Sequence, residues 1–186
     1  MLYKFDILFT KELANGGLKT LSYSQLLDNP KAFGENETLE GATGSLSLVK
    51  EGAEKGFSLS SLLLKYNSLF LEKLSCSTTN GNQHKLQFSF DDPEDVTSIK
   101  ATFIDENGIS YPLKAEKQII EEAEPWSHKG TDSFKMIIIL KGYVLATNQP
   151  EMEETLTKGE VGIIMDTPSQ LNLSSDGTEY FVFTLD

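Results

Sequence analysis

The feature that most constrains this 186-residue chain is a train of short apolar-rich runs between residues 134 and 186, each closed by turn-forming residues. The runs are Phe134 to Leu140, Tyr143 to Thr147, Glu153 to Leu156, Val161 to Met165, Gln170 to Leu173 and Tyr180 to Leu185. Between them stand Lys141-Gly142, Asn148-Gln149-Pro150, Lys158-Gly159, Asp166-Thr167-Pro168 and Asp176-Gly177. Gly, Pro, Asn and Asp set or tolerate the backbone angles of turns, so the pattern predicts six short strands. Short strands at regular spacing imply a sandwich or barrel. Within the runs apolar residues recur at period two, which marks Phe134, Ile138, Leu140, Val161, Ile163, Leu173, Phe181 and Phe183 for the core.

Upstream, Tyr3, Phe5, Ile7 and Phe9 fall on one face of an extended segment, which predicts a strand over Leu2 to Phe9. Asn15-Gly16-Gly17 is a turn signal. Leu18, Leu21, Leu26 and Leu27 then suggest a short helix that stops before Asn29-Pro30. Gly34 to Gly56 reads as loops with one short strand near Leu46 to Val49. From Leu59 to Leu74 the apolar spacing is helical with Ser58 or Ser60 as a cap; a rival reading breaks it into a short helix and a strand over Ser68 to Cys76. Lys85 to Phe90 alternates as a strand, and Ser98 to Asp105 joins Ile109 to Lys114 through Glu106-Asn107-Gly108, the clearest hairpin signal. Lys117 to Ala123 reads as a helical turn or a strand, and Glu124-Pro125-Trp126 with His128 to Asp132 as a break.

Charge narrows the function classes. The chain carries 16 basic and 28 acidic residues, a formal net charge of −12, and every basic residue is Lys. Without Arg there is no planar fork for bidentate capture of phosphates or guanine edges, and the negative field repels DNA and anionic lipid. Nucleic acid and membrane are therefore not expected partners, while cationic ligands, metal ions or a basic partner protein remain open. A single cysteine, Cys76, permits no intramolecular disulfide and suits a reducing, cytoplasmic setting. The N-terminal stretch has Asp6 inside it and no signal-peptide pattern, and the longest strongly apolar run, Met136 to Leu140, falls far short of the roughly 18 residues that span a bilayer.

From Phe134 onward the order of signals resembles the second half of a cupin barrel. Phe134 to Tyr143 resembles the superfamily's hydrophobic strand entering a Gly turn. Leu156-Thr157-Lys158-Gly159-Glu160-Val161-Gly162-Ile163-Ile164-Met165 resembles its "L-x-x-G-D-x-x-x-I-P" segment, with Glu160 at the acidic position and Thr167-Pro168 displaced to the next turn. Within the superfamily the flavour is that of the C-terminal cupin-like region of type I mannose-6-phosphate isomerases. The resemblance implies a mainly β fold, a cupin-like jelly roll or β-sandwich with one or two helices in the N-terminal part. The expected organisation is one domain over 1–186, with a mixed portion, 1–75, packing on a β body, 85–186.

What the resemblance implies for chemistry meets a shortage of ligands. Metal-dependent cupins present two His and a Glu from one motif and a further His from the second. Here only His84 and His128 exist, and Gln170-Leu171-Asn172 occupies the place of the second motif's His. The isomerase family's Gln-x-His pair and active-site Arg are also missing: Gln83-His84 lacks the intervening residue. The expectation is a metal-free, cofactor-free and non-catalytic binding or assembly module, taking a carbohydrate or another small polar ligand. A divergent sugar-phosphate isomerase or epimerase would need His84, His128 and Glu160 to converge. An interaction domain using an exposed β-sheet is the third reading.

Sugar sites on β folds combine aromatic platforms with hydrogen-bonding side chains, since a sugar offers C–H faces and hydroxyl edges. Trp126, His128, Tyr143, Tyr180 and Gln170 are the candidate ligand-binding residues, with Tyr111 a further ring. The acidic runs Asp91-Asp92-Pro93-Glu94-Asp95 and Glu121-Glu122-Ala123-Glu124 lack calcium-loop spacing and read as solvated loops. Phosphate-loop, dinucleotide and G-x-S-x-G motifs are absent from the sequence.

Overall fold

A computed structural model describes residues 2–48, 85–104, 107–120, 125–128, 135–148, 152–164, 169–173 and 178–184. The expected helix over Leu59 to Leu74, its rival strand, His84 and the run Glu121 to Glu124 lie outside them.

The N-terminal alternation produces β1 (Leu2–Glu12), followed by β2 (Leu18–Ser22), the helix α1 (Tyr23–Asp28) and β3 (Thr43–Leu48). Then come β4 (Lys85–Phe90), β5 (Ile99–Ile104), β6 (Ser110–Pro112), β7 (Lys114–Ile120) and β8 (Pro125–His128). The predicted train follows as β9 (Lys135–Lys141), β10 (Tyr143–Asn148), β11 (Met152–Thr157), β12 (Glu160–Ile164), β13 (Ser169–Leu173) and β14 (Thr178–Thr184). The protein is thus mainly β, and α1 is the one helix among the described residues.

Ten strands form one antiparallel sheet in the order β6-β5-β4-β3-β1-β12-β9-β14-β7, with β2 beside the far half of β1. Its two terminal strands, β6 and β7, are separated in sequence only by Leu113, whose N–H donates to the Ala101 carbonyl of β5 at 3.0 Å. The chain itself therefore bridges the two ends of the sheet and brings it close to a closed barrel, the arrangement that leaves fewest unpaired edges. Asp95, beside β5, feels the charge of Lys117 on β7 across that seam.

Barrel closure demands an interior that side chains fill. Along one register row, Phe9 of β1 faces Gly44 of β3, Gly44 faces Phe88 of β4, and Phe88 faces Ala101 of β5. Large and small residues alternate because the space does not hold four large ones: a Cβ on Gly44 would lie 2.7 Å from Phe9 Cε1 and 2.9 Å from Ile7 Cγ2. Phe5, Ile7, Leu86, Phe103, Met136, Ile138, Val161 and Phe183 complete the interior, and Tyr23, Leu26, Phe33 and Leu39 from α1 and the following loop pack into the same cluster.

β9 is buried on both faces. Met136, Ile138 and Leu140 join the barrel core, whereas Ile137 and Ile139, one residue out of step, are buried on the other side. A five-residue apolar run bounded by polar residues is the pattern of such a strand. The chain leaves the large sheet after Lys141 to form β10 and β11 and re-enters it through the turn at Lys158-Gly159; with β8, which precedes β9, and β13, which follows β12, these strands make the smaller antiparallel sheet β11-β10-β13-β8. The Gly159 N–H donates to the Ile139 carbonyl at 2.7 Å, and the Thr178 hydroxyl of β14 donates to the Tyr143 carbonyl at 3.4 Å, which ties the return turn and β10 to the large sheet.

Three local expectations change. Leu18 to Ser22 is a strand rather than a helix start: β2 pairs with Leu8 to Glu12 of β1, and Leu18 is solvent-exposed instead of lining an apolar face. The helix begins only after Ser22, where a capping box forms: Ser22 Oγ accepts the Gln25 N–H and Gln25 Oε1 accepts the Ser22 N–H. The expected break at Pro125-Trp126 is the strand β8, tolerated because Pro125 is its first residue and β8 is an edge strand, where a missing N–H costs no ladder bond. Between the two readings left for Lys117 to Ala123, Lys114–Ile120 is strand. Of the expected core, Ile138, Leu140, Val161 and Phe183 are buried and Phe181 is partly buried against the cluster.

Candidate functional site

Four of the five candidate ligand residues fall on the smaller sheet. Trp126 and His128 stand on β8 opposite Leu171 and Ser169 of β13; Gln170 of β13 stands between Ser127 of β8 and Thr147 of β10; Tyr143 opens β10 opposite Thr157 of β11. Tyr180 belongs instead to β14 in the large sheet, opposite Ile139, and is 4% exposed. It is a packed residue of the interlayer side.

Alternation divides the smaller sheet into two sets. One contains Leu156, which is fully buried, with Val144, Leu173, Ala146, Leu171, Trp126 and His128 in step with it. The other contains Thr155, Thr157 and Tyr143, all exposed, Tyr143 at 42%. In step with this exposed set run two complete cross-strand rows: Glu153-Thr147-Gln170-Ser127, and Thr155-Leu145-Asn172-Pro125. Directly opposed residues of an antiparallel pair share a face, and same-face rows lie about 7 Å apart along the strands. In the register, Gln170 is therefore in step with Tyr143, and Trp126 and His128 are in step with Leu156.

Thr147, Thr155, Thr157, Asn172 and Glu153 were not singled out in the sequence. The signal was present in the polar-apolar-polar triplets Thr155-Leu156-Thr157 and Gln170-Leu171-Asn172, whose outer residues line up only once the registers of three strands are known.

Glu160, at the acidic position of the cupin-like segment, sits on β12 of the large sheet, whereas His128 is on β8 of the smaller one. Its carboxylate accepts the Thr157 N–H at 2.9 Å and the Thr157 hydroxyl, which organises the β11–β12 turn. No group of three or more His, Cys, Asp or Glu arranged to hold a metal occurs among the described residues. No helix among them is long and apolar enough to cross a membrane.

A second polar assembly closes one end of the barrel. Lys11, nearly buried at the end of β1, pairs with Glu37 at 3.0 Å and donates to the Thr38 carbonyl, while Glu37 Oε1 accepts the Ala14 N–H at 2.9 Å. That N–H first, and then Lys11, hold the Glu37 carboxyl below the usual carboxylate range. Lys19 donates to the Ala32 carbonyl at 2.8 Å, so two ammonium groups of the β1–β2 hairpin secure the loop after α1. Tyr23 is buried beneath this loop with its hydroxyl donating to the Val96 carbonyl at 2.8 Å; burial, reinforced by the Asp95 charge, raises its phenol above the ordinary range. The acidic run 91–95 is a hydrogen-bonded loop: Asp92 Oδ1 accepts the Glu94 N–H, and Asp95 Oδ1 accepts the Thr97 hydroxyl and N–H, which hold the Asp95 carboxyl low.

No protein-family model matches the chain, and no curated protein matches it. Among solved structures it is similar to an HTH_3 family transcriptional regulator from Vibrio cholerae, with 10% identity, a TM-score of 0.31, and coverage of 54% of this chain and 51% of that one. The chain thus spans about half the regulator's length. It is also similar to a protein of unknown function, DUF1255, from Acidithiobacillus ferrooxidans, at 13% identity, a TM-score of 0.29 and coverage of 57% of this chain and 91% of that one. A third likeness is to YcfD, a ribosomal oxygenase from Escherichia coli solved with cobalt and succinic acid, at 8% identity, a TM-score of 0.27 and coverage of 98% of this chain and 40% of that one.

Proposed function

We propose that this chain is a binding module that takes a small neutral polar ligand, a carbohydrate first, on the outer face of the smaller sheet. The reading rests on one observation: the rows Glu153-Thr147-Gln170-Ser127 and Thr155-Leu145-Asn172-Pro125 run in step with exposed Tyr143, Thr155 and Thr157. Amide and hydroxyl side chains offer both donors and acceptors, as sugar hydroxyls do, and an exposed tyrosine ring offers a flat apolar surface for a sugar's C–H face. A chain with a net charge of −12 and no Arg is poorly suited to a phosphorylated sugar, which favours a neutral ligand over a sugar phosphate.

A thermal-shift screen of neutral mono- and disaccharides, run beside their phosphates, tests the proposal, because a ligand that binds only the folded state raises Tm. The expected result is a rise with one or more neutral sugars that disappears in Tyr143→Ala and in Gln170→Ala. No rise with any neutral sugar, or a rise unchanged in both variants, would overturn it.

A further inference from the structure

Tyr143 and Thr157 are directly opposed at the start of β10 and the end of β11, and both are exposed. Directly opposed residues of an antiparallel pair stand about 5 Å apart at Cβ, so a molecule lying against the Tyr143 side chain comes within reach of the Thr157 hydroxyl. Glu160, just past the turn, takes both donors of Thr157 on one oxygen: its Oε1 accepts the Thr157 N–H at 2.9 Å and the Thr157 hydroxyl. A carboxylate oxygen only accepts, so the hydroxyl hydrogen is committed to Glu160. Among the described residues nothing donates to Thr157 Oγ1, and the residue is exposed, so its lone pairs remain available. A hydroxyl that donates to a carboxylate is polarised and accepts more strongly in turn. The ammonium group of Lys158, next in the chain, is engaged by Asp28 of α1.

On the sugar-binding reading of this face, we propose that Thr157 is a specificity-determining residue that serves the ligand only as a hydrogen-bond acceptor, and that Glu160 is the positioning residue that makes it one. The ligand is then a neutral sugar with a free hydroxyl beside the C–H face that lies on Tyr143, because only a group that donates can meet Thr157 Oγ1. A sugar in which that hydroxyl is removed, methylated or replaced by fluorine presents no donor there and binds more weakly. Glu160 acts through Thr157 and does not touch the sugar.

The test measures binding of D-glucose, D-galactose and D-mannose to the full chain by calorimetry, each beside its monodeoxy and monodeoxyfluoro analogues; fluorine can accept a hydrogen bond but cannot donate one. For the sugar that binds, one hydroxyl position is expected at which the deoxy and the deoxyfluoro analogues both bind roughly 3- to 10-fold more weakly than the parent sugar, the loss of one hydrogen bond. Thr157→Val should weaken the parent sugar by a similar factor and remove its advantage over the fluoro analogue at that position. Glu160→Ala frees the Thr157 hydroxyl to donate, so the fluoro analogue should gain on the parent, whereas Glu160→Gln, whose amide oxygen still accepts from Thr157, should keep the discrimination. Thr157→Val keeps the β-branched shape at an exposed position and carries the test if Glu160→Ala fails to fold. A bound sugar with no position at which the fluoro analogue is weaker, or a discrimination unchanged in Thr157→Val, would overturn the proposal and leave the sugar-binding reading standing. No binding by any of the three sugars would overturn it as well, and failure of the disaccharides too would take the sugar-binding reading with it.

Discussion

Gly159 lies against Ser24 so closely that a Cβ on it would stand 2.6 Å from both the Cα and the backbone nitrogen of Ser24. The turn that returns the chain from the smaller sheet is thereby pressed onto the first turn of α1, and Lys158 reaches Asp28 at the other end of the helix. Gly159 also has φ +85°, where a side chain is strained.

Gly159→Ala therefore meets backbone rather than a movable side chain. It is expected to destabilise the protein by about 1–3 kcal/mol or more, the range for overpacking a tight site. Gly41→Ala is the control: it carries similar strain at φ +80°, but nothing lies within 4 Å of the added Cβ. Urea unfolding of the two variants should show the larger loss at Gly159.

Glu37 links β1, the β1–β2 turn and the loop after α1 through Lys11 and the Ala14 N–H. Its folded pKa lies below the unfolded one, so its contribution is present in full above the unfolded value and is lost as pH falls through the folded one. Glu37→Gln should unfold at lower urea than the parent at neutral pH, with the gap closing in acid. A gap that stays constant with pH would contradict this role.

Tyr23→Phe removes the donor to the Val96 carbonyl and should cost about 1 kcal/mol. Burial also holds the phenol protonated to higher pH in the folded state, so stability falls as pH rises past the unfolded value of about 10. Urea titrations in alkaline buffer should show a flatter pH dependence for the variant.

How much of this was legible in the sequence follows from the range of the interactions involved. Period-two alternation is local, so the strands from Lys85 to Phe90 and from Lys135 to Thr184 could be read residue by residue, and the five buried residues of β9 announced themselves as an unbroken apolar run. Leu18 and Leu21 misled because a spacing of three fits a helix, while pairing with β1 decided the matter and left Leu18 in solvent. The helix start is fixed instead by the capping box Ser22-x-x-Gln25, a signal that was not read in the sequence. Pro125 concealed β8, since only its place at the start of an edge strand makes it harmless. The outer rows of the smaller sheet depend on registers between segments up to about fifty residues apart, and no local pattern specifies those. The same registers separate Trp126 and His128 from Gln170 and Tyr143.

Ile138 is fully buried between Phe181 of β14 and Val161 of β12. Ile138→Ala should cost about 2–5 kcal/mol, the usual range for truncating a buried aliphatic side chain to leave a cavity. Phe183→Ala should cost at least as much, whereas Phe181→Ala, only partly buried, should cost less. Equal losses for Phe181→Ala and Phe183→Ala would mean that the interior is not arranged as described.

The proposed ligand face makes the most direct claim about function, and an amide NMR titration with the neutral sugar of largest thermal shift examines it residue by residue. Shift changes are expected to concentrate on β10, β11 and β13, around Tyr143, Thr147, Thr155, Gln170 and Asn172, and to leave β3, β4 and β5 unmoved. Changes centred on the barrel end around Lys11, Glu37 and Val96, or none at saturating sugar, would contradict it.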